Sequence, residues 1–120
     1  MGRITIGHAV DPERGRKIGQ NEAMFRDVNE RIEDLAETFG LRDRPLELIC
    51  ECGDVSCTQQ IRMTIAEYEA LRKDPTLFAV YPGHEIPDVE SIVEQRDGFD
   101  VIRKHEGEPT RVARETHPRD

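Results

Sequence analysis

Three thiols, Cys50, Cys52 and Cys57, fall within the eight-residue run Cys50-Glu51-Cys52-Gly53-Asp54-Val55-Ser56-Cys57. Deprotonated, they are soft donors suited to a tetrahedral ion such as zinc. Along a straight strand Cys50 and Cys52 would share a face with about 7 Å between them. Two sulfurs on one ion sit only about 3.8 Å apart, given Zn–S bonds near 2.3 Å. The chain must therefore bend here. Gly53-Asp54 supplies a turn, and its backbone N–H groups would stabilise the thiolates.

Three thiolates leave one coordination position. His84 is the expected fourth ligand, because Pro82-Gly83 fits the centre of a type II turn and projects the histidine from a strand end. A closed Cys3His site is structural in type. His8 and His117 fall in expected tails, and His105 closes the last expected strand. Without His84, the fourth ligand would be Glu51, Asp54, Glu85 or a water, and with water the site would be catalytic in type. The competing chemistry is thiol redox, with a disulfide from Cys52 to Cys50 or Cys57. An iron–sulfur cluster would want a fourth cysteine.

Two loops must position these donors. Leu46-Glu47-Leu48-Ile49 predicts a strand running straight into Cys50, and Leu77-Phe78-Ala79-Val80-Tyr81 predicts one running into the Pro82-Gly83 turn. If these strands lie side by side, both loops open at one sheet edge. Ile61, Met63 and Ile65 alternate with polar residues and predict a further strand. Thr64 and Glu67 then form a capping-box pattern for a helix to about Lys73, stopped by Asp74-Pro75. Residues 87–95 read either as a short helix or, over Ser91–Gln95, as a strand pairing with the segment after it. Asp97-Gly98 is a hairpin signal before a last strand at 99–103.

Upstream, Phe25, Val28, Ile32, Leu35 and Phe39 recur at steps of 3, 4, 3 and 4, an amphipathic helix over 21–39 with Gly40 as its stop. The seam is expected to pack on its own domain, or else to serve a short coiled-coil dimer. Residues 1–19 and 106–120 are rich in turn-formers and charge and are expected to be disordered tails around one domain at 20–105. The fold class is α+β: a small sheet of three to five strands, an N-terminal amphipathic helix and a metal-binding loop.

The chain has 120 residues, 36% apolar and 35% charged, with no Trp and a net charge of −8. That is little core material, and a metal staple suits a domain of this size. The acidic balance argues against nucleic acid as a partner, and the one basic run, Arg14, Arg16 and Lys17, reads as solvated surface. No apolar stretch reaches the roughly 18 residues of a membrane span, and the N-terminus has no secretory h-region. An odd number of cysteines fits a reduced, cytoplasmic setting.

Cys50-Glu51-Cys52, Cys57, Ile65-Ala66-Glu67-Tyr68-Glu69 and Pro82-Gly83-His84-Glu85 together resemble a group of small actinobacterial proteins, mostly without an assigned activity. Gln20–Ala23 through Val28–Ile32 resemble their N-terminal helix, and Glu115–Arg119 their tail. The likeness covers about 20–119 and implies a shared fold and a shared role for the three cysteines and His84.

These residues leave two candidate functions. One is a zinc-binding interaction or regulatory module whose partner is a protein or a second copy, met through the 25–39 helix. The other is a thiol-redox or metal-dependent enzyme using the cysteine cluster. No HExxH, phosphate loop or nucleophile–base spacing supports the enzyme. Glu67 and Glu69 read as helix surface, and Tyr81 as a sheet-edge residue.

Overall fold

A computed structural model describes residues 12–41 and 43–118. It has three helices, α1 (Pro12–Thr38), α2 (Ile65–Arg72) and α3 (Glu108–Glu115), and five strands, β1 (Leu46–Ile49), β2 (Gln60–Met63), β3 (Leu77–Val80), β4 (Glu90–Arg96) and β5 (Phe99–Lys104). The fold is a small α+β one, but the strands form two antiparallel sheets: β1-β2, and β3-β5-β4.

The local signals act where the sequence places them. The Thr64 side chain accepts from the Glu67 N–H while the Glu67 carboxylate accepts from the Thr64 N–H, which caps α2. Gly40 takes φ +71°, and the bonds Leu41 N–H to Ala36 O and Gly40 N–H to Glu37 O close α1 with a Schellman motif. Asp97-Gly98 joins β4 to β5, with Arg96 opposite Phe99. The ambiguous 87–95 segment resolves as strand from Glu90, because β5 offers it a pairing edge.

Helix α1 overturns the expected burial. Its buried residues include Glu22, Arg26, Asn29 and Glu33, while Val28, Leu35 and Phe39 of the expected seam are 40%, 58% and 71% exposed. Only Ile32 of that seam packs against the core, half-buried. The reason lies in what α1 faces, which is unsatisfied backbone and charge. Arg26 donates to Pro75 O at 2.9 Å and to Ala113 O at 3.0 Å. The Asn29 amide pairs with both backbone groups of Ile49, each at 2.9 Å, as a neighbouring strand would. Glu22 meets Lys104 at 2.7 Å. A buried polar group left without such a partner costs about 1–3 kcal/mol, so the polar face is the one that must turn inward.

The same contacts order segments expected to be tails. Residues 12–19 are helical, with Gly15, Ile18 and Gly19 buried, and residues 108–115 form α3 with Val112 and Ala113 in the interior. The Arg26 guanidinium sits on the carbonyl end of α3, where a cation is favoured. The rest of the expected tails, 1–11 and 119–120, lies outside the described residues.

Lys104, Glu22 and Glu90 form a fully buried group of one ammonium and two carboxylates. Burial, opposed by Lys104 and reinforced by Glu90, holds the Glu22 carboxyl well above its ordinary range. A raised carboxyl stabilises the fold below its ordinary pKa, and that contribution is lost as pH climbs from there through the raised value. Glu22→Gln should therefore flatten the pH dependence, with urea midpoints falling less than those of the parent between pH 5 and pH 8. Parallel curves for the two proteins would contradict this.

Candidate metal centre

The candidate donors come from two loops. The first, residues 50–59, closes the β1–β2 hairpin and carries all three cysteines. Its entry is still ladder, since the Cys50 N–H donates to Gln59 O at 3.0 Å. One residue later the chain changes partner, and the Glu51 N–H donates to Ala79 O on β3 at 2.9 Å. The expected neighbour of β3 was β1 itself; the segment just past β1 takes that place and joins the two sheets. The Asp54 carboxylate accepts from the Ser56 N–H and hydroxyl at 2.9 and 2.7 Å, and the Cys57 N–H donates to Asp54 O at 3.0 Å. This turn brings Cys57 back toward Cys50 and Cys52. Gly53 is needed for space, because a Cβ there would lie 2.6 Å from Ile18 Cγ2 and 3.0 Å from Ile86 Cδ1.

The second loop begins at the end of β3. The His84 N–H donates to Tyr81 O at 2.9 Å and Gly83 has φ +88°, so Tyr81–His84 form the expected turn, with His84 on its far shoulder. The Tyr81 ring meets the imidazole edge-on at 5.2 Å.

The loops converge. One ligand atom from each of Cys50, Cys52, Cys57 and His84 lies within 4.8 Å of all the others. His84 Nδ1 is 3.7 Å from Cys50 Sγ and 3.5 Å from Cys57 Sγ. A tetrahedral ion with Zn–S near 2.3 Å and Zn–N near 2.0–2.1 Å needs S···N edges of about 3.5 Å. The group could hold a metal ion.

The thiols differ. All three cysteines are free, with Cys50 and Cys52 buried and Cys57 half-buried. The Cys52 thiolate is stabilised first by its hydrogen bond with Cys50, which lowers its pKa to about 5 despite burial. Cys50, the donor of that bond, is pushed well up, and burial raises Cys57. A metal ion binding here would displace the thiol protons that remain. Cys50 Sγ also accepts the Tyr81 N–H at 3.1 Å, which orients the sulfur.

The other expected donors are elsewhere. Asp54 is engaged with Ser56, Glu85 stands outside the cluster, and His105 bonds the Ser91 hydroxyl at 2.7 Å. His117 is outside the cluster too, and His8 lies outside the described residues. Glu51 points the opposite way from its cysteine neighbours and is fully buried. Its carboxylate accepts from Arg72 at 2.9 Å, Asn29 at 2.8 Å and the Ala79 N–H at 3.1 Å. It pins the Cys-x-Cys segment to α2, α1 and β3 at once. The His84 loop is pinned similarly, by Glu90 accepting the Ile86 N–H at 2.7 Å. The sequence suggests Glu51 only as a ligand, yet the alternation of a strand already sets it on the face opposite the sulfurs.

The chain matches no known family model, no curated protein and no solved structure.

Proposed function

We propose that the chain is a small zinc-stabilised interaction module in which Cys50, Cys52, Cys57 and His84 hold one structural Zn²⁺. The observation that carries this is a set of four donors within 4.8 Å of one another, with His84 Nδ1 3.7 and 3.5 Å from two of the sulfurs. Thiolate and imidazole donors in that geometry select zinc over hard cations. Four protein ligands leave no position for substrate or water. Burial of Cys50 and Cys52, each 2% exposed, also weighs against thiol exchange with a second molecule. The interaction role is supported by an acidic surface and by apolar side chains presented outward along α1.

Elemental analysis of protein purified without chelator should give one zinc per chain, and X-ray absorption should give three sulfurs and one nitrogen around it. His84→Ala should weaken zinc binding by at least about tenfold to a hundredfold in competition with a chromogenic chelator. Unchanged affinity would remove His84 from the site. A metal-free protein with a titratable disulfide would favour the redox reading instead.

A further inference from the structure

The outer face of α1 carries an apolar stripe, Met24, Val28, Leu35 and Phe39, roughly opposite the polar face that supports the metal loops. Leu35 and Phe39 are 58% and 71% exposed. Stability of the monomer does not call for this pattern, since the core is filled without these side chains.

The spacing of the stripe is 4, 7, 4, which is unchanged when read backwards. An antiparallel two-fold pair of helices matches apolar to apolar along its length only with such a spacing, because each residue i that meets j on the partner must itself be met by j. Two copies of α1 crossing antiparallel about residues 31–32 place Met24 opposite Phe39 and Val28 opposite Leu35. The charges beside the stripe agree. Asp27, Arg31 and Asp34 lie on one exposed flank. In the antiparallel arrangement Arg31 of each copy comes within about one helical residue-pair of Asp34 on the other, using a rise of 1.5 Å per residue. A parallel pair would instead set this charged flank against the opposite flank of the partner helix, where Phe25 and Ile32 lie, and would leave the charges without partners across the interface.

We infer that the outer face of α1 binds a second copy of this chain in an antiparallel, two-fold dimer. This names the partner of the interaction module proposed above, and the metal content of each variant is measured alongside, so that failure of the dimer and failure of the zinc site read separately.

The test is sedimentation velocity on the full, zinc-loaded chain from about 1 to 200 µM, the range expected for a small interface. The parent should pass from monomer to dimer. Leu35→Glu should weaken association at least about tenfold with zinc content unchanged and, at concentrations where the parent is monomeric, an unchanged melting temperature, since Leu35 is a surface residue. Val93→Glu, at an apolar residue exposed on β4, should leave association unchanged. Arg31→Asp and Asp34→Arg should each weaken the dimer severalfold, and the double variant should recover it. A parent that stays monomeric at 200 µM overturns the inference and leaves the stripe to a different protein. So does a dimer that Leu35→Glu does not weaken, or one in which the double variant is no tighter than the single ones.

Discussion

Excess zinc chelator at pH 7 is expected to lower the thermal midpoint by on the order of 20 °C or more, and one equivalent of zinc should restore it. Structural zinc sites bind with apparent free energies of about 10–16 kcal/mol, as large as the whole stability of an ordinary domain, about 5–15 kcal/mol. Here the site is also part of the interior. Cys50 and Cys52 belong to the apolar cluster with Phe78, Val80 and Ile102, so losing a bound ion would loosen the contact between the two sheets. Cys52→Ser should reproduce the effect without chelator. Circular dichroism melts track both, since the chain has no Trp to serve as a fluorescent probe. A chelator-induced shift of only a few degrees would show that the fold stands without the metal.

Glu51→Ala should destabilise the zinc-loaded protein by about 3–5 kcal/mol, because it leaves the Arg72 charge buried with no counter-ion. Arg72 is 1% exposed and the carboxylate 0%, so water cannot take over. The substitution also frees Asn29 Nδ2 and the Ala79 N–H from one acceptor. A second variant separates charge from positioning. Replacing Glu51 and Arg72 together by methionines removes both charges and should recover most of the stability. Its zinc affinity should stay reduced by about tenfold or more, because nothing then fixes the Cys-x-Cys segment against β3. Stability is read from urea denaturation and affinity from chelator competition. Full recovery of both would reduce Glu51 to a charge partner with no hold on the ligands.

The features legible in the sequence are local. The bend at Gly53-Asp54, the turn presenting His84, the capping box at Thr64 and Glu67, and the Gly40 stop each depend on residues within a few positions of one another. The burial of α1 is not legible in that way. Its heptad of apolar residues reads as the inward face, yet a second heptad of polar residues, Glu22, Arg26, Asn29 and Glu33, has the same spacing. Choosing between them requires knowing that Arg26 reaches Ala113 and that Glu22 reaches Lys104, contacts that only the folded chain provides. The order in 108–115 is hidden for the same reason, since its carbonyl end is satisfied by a side chain from α1. The two-sheet arrangement turns on the exchange of partners between Cys50 and Glu51, which no periodicity reports.

The distribution of the four donors over two loops has a topological consequence. Three of them lie in one hairpin whose ends β1 and β2 already hold together. Sulfur ligation alone would therefore join parts of the chain that the folded hairpin already holds together. A bond to His84 would be different in kind. It would tie that hairpin to the end of β3 across a longer stretch of chain, so the two sheets could not part without giving up the ion and its binding free energy. Of the four candidate donors, the single nitrogen is the one that would turn a bound ion into a staple.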